Sequence, residues 1–207
     1  MALVRVEVKP ADGPLPVRVA DFVRAANERI DSWYEERWQD PIVAFVPSDL
    51  ERTWRVLEAI SREKLAPGPS FCEWGSGFGA VAGLASLAGF HACGIEIERE
   101  LVESARRLAR DSALAVEFVE GNFVPRDAGD LARTKNEFAW LAEGGADGHA
   151  ALGLDPDDFD VVFAYPWPGE EDVIFRLFEA FGAANALLVT FHGERGLQVH
   201  RRSKRAL

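Results

Sequence analysis

Apolar positions along the chain change their period several times, and each change marks an element. In LVRVEVK (3–9) apolar and charged residues alternate as in a short half-exposed strand, and ADGPLP breaks the pattern. From Val17 to Trp38 the spacing of Val19, Phe22, Val23, Ala26, Ile30, Trp33 and Tyr34 is helical, with Arg and Glu on the other face. This predicts an N-terminal helical extension. After PIVAFVP, Ser48 and Glu51 form an S-x-x-E pattern that predicts a capping box opening a helix through Trp54, Leu57 and Ile60, which PGP at 67–69 ends.

Strand and helix patterns then alternate. SFCEWG reads as a strand, followed by a glycine loop, the small-residue helix AVAGLASLA and a second strand HACGIEIE. A helix over 99–111 leads to a third strand, AVEFVEGN. A long Gly- and Asp-rich insertion over 124–158 follows, with a short helix expected around 136–142. The alternation resumes with strand FDVVFAY, a helix over about 170–181 and strand ALLVTF. Five strands separated by helices predict a doubly wound, mostly parallel α/β sheet, in which ligands bind beyond the carboxyl ends of the strands. The expected organisation is one domain over 1–207, with the extension at 1–44, the core at 45–200 and the insertion at 124–158. LQVHRR, after the fifth strand, reads as a truncated sixth strand or a tail, and RRSKR (201–205) as a solvated tail.

Composition narrows the partners. A formal charge of −11 gives a surface that repels phosphate backbones and anionic lipid, so duplex nucleic acid and membranes are not expected partners. Two cysteines, Cys72 and Cys93, lie in apolar runs and read as reduced, buried thiols of a cytoplasmic protein. His91, His149, His192 and His200 show no paired ligand spacing, so no metal site is assigned. No G-x-x-x-x-G-K-[ST] motif supports a nucleotide triphosphatase.

The chemistry concentrates in FCEWGSGFGA (71–80). It can be read as G-x-G-x-x-A, from Gly75, Gly77 and Ala80, which is a weak dinucleotide fingerprint. It can also be read as E-x-G-x-G-x-G, from Glu73, Gly75, Gly77 and Gly79. Glu73 favours the second reading: a carboxylate two residues before the first glycine opposes a diphosphate on the helix N-terminus and suits a cationic ligand. Glu96 closes the second strand, where a carboxylate accepts both ribose hydroxyls. Asn122 and Phe123, after the third strand, offer an amide for an adenine edge and a ring for its face; Gly-Asn is also common turn chemistry.

Through E-W-G-S-G-F-G (73–79), G-I-E-I-E (94–98), E-G-N-F (120–123) and the strand ending Y-P-W-P (160–168), the sequence resembles the class I, Rossmann-like S-adenosylmethionine-dependent methyltransferases over about residues 45–192. The resemblance implies S-adenosylmethionine as cofactor. It further implies that Glu73 orients the loop and the methionine ammonium, that Gly75, Ser76 and Gly77 pass close to the methionine moiety, that Glu96 holds the ribose, and that Asn122 and Phe123 border adenine. It also implies a reversed C-terminal hairpin, for which too little chain follows the fifth strand.

Tyr165-Pro166-Trp167-Pro168 is similar to the Asp/Asn-Pro-Pro-aromatic motif of amino methyltransferases, with Tyr165 in place of the first residue and Trp167 in place of the second proline. Tyr165 and Trp167 are the candidate catalytic residues, as a platform for the acceptor. The competing reading is a proline-bracketed turn with packed aromatics. Glu170, Glu171 and Asp172 read as first-turn acids of the following helix, and His192 as a weaker candidate for substrate contact. The leading expectation is a methyltransferase acting on a nitrogen or oxygen of a protein side chain or small molecule. The alternatives are a nicotinamide-dependent oxidoreductase and a non-catalytic, cofactor-binding regulatory protein.

Overall fold

A computed structural model describes residues 2–37, 45–133 and 144–203. The strands are β1 (Ala2–Arg5), β2 (Ser70–Trp74), β3 (His91–Glu96), β4 (Glu117–Glu120), β5 (Val161–Ala164), β6 (Leu187–Phe191) and β7 (Leu197–Ser203). The helices are α1 (Val17–Glu36), α2 (Leu50–Arg62), α3 (Ala80–Leu87), α4 (Arg99–Asp111), α5 (Gly148–Leu152) and α6 (Glu171–Phe181). One sheet runs in the order β1-β7-β6-β5-β2-β3-β4. The five strands β2 to β6 are mutually parallel, as the alternation predicted; at one edge β7 joins β6 antiparallel and β1 joins β7 antiparallel, so β1 again runs in the direction of the core.

Burial explains the pattern. β5 (VVFA) and β6 (LLVTF) are buried at every position, because helices cover both faces of the sheet and a central parallel strand has no solvent side. On α4, Leu101, Val102, Ala105, Leu108 and Ala109 are buried while Arg99, Arg106 and Arg110 face outward. The small-residue helix α3 is buried nearly all round, since it lies between the sheet and α1. A Cβ on Gly83 would collide with the Phe22 ring, so the glycine sets how closely α1 approaches. The predicted extension is thus packed directly on the core.

Three sequence expectations are corrected. Leu197–Ser203 is a full antiparallel strand paired with β6 from Phe191↔Leu197 to Leu187↔Arg201, so Arg201 and Arg202 are not tail residues. Their guanidinium groups are used: Arg201 donates to the Leu65 carbonyl at 2.8 Å, and Arg202 to the Glu179 and Ala180 carbonyls at 2.8 and 3.0 Å. The latter two belong to the last turn of α6, where cations are favoured. The strand expected to be wanting beyond β7 is supplied from the other end of the sequence: β1 pairs with β7, Ala2 opposite Ser203 and Arg5 opposite His200. Finally, the cap of α2 is Asp49 rather than Ser48. Its Oδ1 accepts from Arg52 N at 3.0 Å and its Oδ2 pairs with the Arg52 guanidinium at 3.2 Å, a second bond that a serine cap would lack.

Within 124–158 the described residues form 3-10 turns at Arg126–Ala132 and Pro156–Asp158 and the short α5. The helix expected around 136–142 lies outside the described residues. Among the described residues no helix is long and apolar enough to cross a membrane, and no group of side chains is arranged to hold a metal ion. Both thiols are free and buried, as expected; Cys93 leans on the Phe71 carbonyl.

Candidate functional site

Strand order reverses between β2 and β5: β3 and β4 extend the sheet one way from β2, and β6 and β7 extend it the other way from β5. The crevice beyond their carboxyl ends is where an open α/β sheet binds its ligand. A cavity of about 470 Å³ lies there, in the range of small-molecule sites. Its walls include Glu73, Gly75, Ser76, Glu96, Asn122, Phe123, Tyr165 and Trp167, so the fold brings the sequence candidates from four strand ends to one place. Gly77 sits in the same loop, directly behind Ser76.

The glycine loop is built by conformation. Gly75, Gly77 and Gly79 have φ of +72°, +51° and +68°, the left-handed region that side chains resist. At Gly77 a Cβ would also lie 2.5 Å from Phe45 Cε2. The loop is tied to the neighbouring strand by Gly75 and Ser76, whose N–H groups both donate to the Ile95 carbonyl, at 2.9 and 3.0 Å.

Two buried carboxylates complete the loop. Glu73 Oε2 accepts from Ala82 N, in the first turn of α3, at 2.8 Å. Glu96 Oε2 accepts from Gly77 N at 2.7 Å and its Oε1 from Glu98 N at 3.0 Å. Burial holds the Glu73 carboxyl well above the usual carboxylate range, the Ala82 bond working against it and the charge of Glu96 adding to it. Burial also raises Glu96, against the bonds from Glu98, Gly77 and Ile97.

Beyond β4, Phe123 lies flat on Trp74, with ring centroids 5.3 Å apart and planes 9° from parallel. His149 props this stack: its Nε2 lies 3.0 Å from the Phe123 carbonyl, and its ring stands edge-on to Trp74. Burial lowers its pKa. Asn122 lines the cavity, but its carboxamide serves local bonds. Nδ2 donates to Gly144 O at 2.7 Å, and Oδ1 accepts from Val124 N at 2.9 Å. The amide offered by sequence to an adenine edge is thus engaged in the turn, the competing chemistry of a Gly-Asn pair.

Across the crevice, Tyr165 and Trp167 are both half-buried in the cavity wall. Tyr165 stands edge-on to Phe191 at 4.8 Å, and burial raises its pKa, so its hydroxyl stays protonated. The turn is closed by Glu170, whose N–H donates to Trp167 O at 2.9 Å and whose Oε2 accepts from Trp167 N at 3.3 Å.

Sequence reasoning missed Glu170 by grouping it with Glu171 and Asp172. The signal was present: Glu170, Ile174 and Leu177 follow helical spacing on one buried stripe, while its two neighbours fall off it. Glu171 instead accepts from Gly169 N and pairs with Arg195. His192 is not in the cavity wall; it bonds Thr190 Oγ1 at 2.8 Å behind the turn, and burial lowers its pKa. Also missed were Trp74 and an aromatic roof over the loop, where Trp33 meets Phe45 and Phe78 edge-on and Tyr34 donates to the Phe45 carbonyl.

No protein-family model and no curated protein matches the sequence. Solved structures do match the fold. A methyltransferase from Geobacter sulfurreducens is similar over 92% of each chain, at 20% identity and a TM-score of 0.53. An O-methyltransferase from Bacillus cereus, in complex with S-adenosylhomocysteine, is similar over 86% of this chain and 66% of its own, at 11% identity and a TM-score of 0.51. An RNA methyltransferase from Salinibacter ruber, in complex with S-adenosyl-L-homocysteine, is matched over 75% of this chain and 92% of its own, at 18% identity and a TM-score of 0.49. The chain has the α/β, Rossmann-like fold of these methyltransferases.

Proposed function

We propose that this protein is an S-adenosylmethionine-dependent methyltransferase, acting on a nitrogen or oxygen of a protein side chain or small molecule. The observation that carries the reading is the occupation of the loop's N–H donors. A dinucleotide fold turns such donors toward a diphosphate. Here Gly77 N–H and Ala82 N–H are taken by Glu96 and Glu73, inside a cavity whose ionisable lining residues are all acidic among the described residues. A diphosphate would find those donors occupied and no basic side chain among the described lining residues. A ligand carrying an ammonium and a sulfonium is attracted, and the complex of the Bacillus cereus protein agrees with that choice.

In this reading Glu73 fixes the loop and faces the ammonium, while Gly75, Ser76 and Gly77 let backbone pass close to the methionine moiety. Glu96 has lone pairs left for the ribose hydroxyls. Phe123 borders adenine with its ring and Asn122 with the turn that it holds. The cofactor supplies an activated methyl group. What the chain adds is alignment, with Tyr165 and Trp167 as the platform that sets the acceptor in line. The acidic cavity and the overall charge of −11 argue against a duplex nucleic acid acceptor.

Calorimetry tests the reading. S-adenosylmethionine and S-adenosylhomocysteine are expected to bind and NADH is not; tighter binding of NADH would overturn it. Turnover of labelled methyl groups against cell extract separates an enzyme from a binding protein.

A further inference from the structure

The cavity is larger than the loop that anchors it. Its far wall, beyond Glu73 and Glu96, includes Tyr165, Trp167, Glu170 and Ile174. One feature of that wall has no part in the proposed cofactor contacts. Glu170 is only 4% exposed, so a carboxylate is set into the cavity wall where water is scarce.

Charge decides what that wall accepts. Four carboxylates line the cavity, from Glu73, Glu96, Glu98 and Glu170, and among the described residues no Arg, Lys or His does. An anionic acceptor would meet no basic side chain among the described lining residues and would lie beside the Glu170 carboxylate at low dielectric. A cation meets the opposite: a buried carboxylate beside ring faces that attract positive charge.

Resting on the methyltransferase reading, we infer that the methyl acceptor is a small amine that enters protonated, with Glu170 as its ion-pair partner. Glu170 then takes one proton from the ammonium: an N–H bond breaks, its electron pair stays on nitrogen as the attacking lone pair, and an O–H bond forms on the carboxylate. Acceptors whose reacting end is anionic are disfavoured on this reading. Tyr165 and Trp167 supply the walls.

Three probes of one skeleton test this by calorimetry on protein saturated with S-adenosylhomocysteine: phenethylamine, 2-phenylethanol and 3-phenylpropionate. The amine is expected to bind at least about tenfold tighter than the alcohol, the ratio for about 1.4 kcal/mol, and the carboxylate more weakly still. In Glu170→Gln, which keeps an acceptor for Trp167 N–H, the preference for amine over alcohol should fall toward unity while S-adenosylhomocysteine affinity stays within about twofold. A wild-type protein that shows no amine preference, through equal binding or through binding none of the three, overturns the inference. So does a folded Glu170→Gln protein that keeps the preference; if the variant does not fold, the wild-type ranking decides. If S-adenosylhomocysteine itself does not bind, the methyltransferase reading fails first and takes this inference with it.

Discussion

The two sides of the crevice are built on different principles. On the β2–β3 side, the cavity wall is a backbone loop fixed by three left-handed glycines and by two glutamates that accept from N–H donors of the loop and of α3. On the β5 side, the cavity wall is made of side chains: the half-buried Tyr165 and Trp167, the latter between two prolines, and the Glu170 carboxylate at the start of α6. The first side constrains sequence by stereochemistry, since only glycine accepts those dihedrals cheaply. The second is constrained only by the shape and charge of what it holds. A cofactor site is therefore expected to be brittle, and an acceptor site adjustable.

The largest effect should come from breaking the first side. Gly79 has φ +68°, and a Cβ there would collide with Phe118 and approach Ala105 at 2.9 Å. Gly79→Val combines a left-handed β-branched residue with overpacking, each costing about 1–3 kcal/mol, so a loss of roughly 5–15 °C in melting temperature is expected together with loss of S-adenosylhomocysteine binding. A variant that melts and binds like the wild type would show that the loop is not rigid.

Next in size is Glu96→Ala. It removes the acceptor of Gly77 N–H and the proposed partner of the ribose, at on the order of 1.5–3 kcal/mol for each charge-assisted bond before water compensates. Cofactor affinity should fall by about 10- to 100-fold per bond, read by calorimetry. Unchanged affinity in a folded variant would remove Glu96 from the site.

The second side predicts a split response. Trp167→Ala should lower methyl transfer on the order of 100-fold through misalignment, with cofactor affinity nearly unchanged, because the cofactor is proposed to rest on the ends of β2, β3 and β4. Trp167 is half-buried, so its loss should destabilise by less than the about 3–5 kcal/mol of a core tryptophan. Full activity would leave the turn to packing alone. A large fall in cofactor affinity would erase the distinction between the two sides.

The smallest effect is a pH dependence confined to the first side. Glu73 and Glu96 titrate above their unfolded values, so their protonated forms are favoured by folding. Their contribution to stability is present below the ordinary glutamate range and is lost as pH rises through the raised values. A cationic ligand favours the ionised forms, so S-adenosylmethionine should bind more tightly as pH rises across that window and release protons on binding. Calorimetry in buffers of different ionisation enthalpy checks the sign; proton uptake would contradict the placement of the carboxylates.

The same contrast explains what the sequence disclosed. The parallel core was legible from buried runs such as VVFA and LLVTF, and the loop from glycines at 75, 77 and 79, because those features are local. The role of β1 was not, since pairing of residues 2–5 with 200–203 leaves no mark within either segment. Asn122 was ambiguous because one residue type suits both a turn and an adenine edge. Glu170 was hidden by its acidic neighbours, although the stripe it shares with Ile174 and Leu177 distinguished it. Phe45 and Trp33 reach the loop from a distant part of the chain, which helical periodicity alone does not reveal.

The pairing of Ala2 with Ser203 sets the order in which the sheet is completed during synthesis. β1 leaves the ribosome long before its partner exists, so the outer edge of the sheet closes last, after every parallel strand has been made. Such long-range closure is slow relative to local folding. It also means that the edge strand depends on both ends of the described fold at once: a change that weakens residues 2–5 exposes the backbone of residues 200–203, and the reverse.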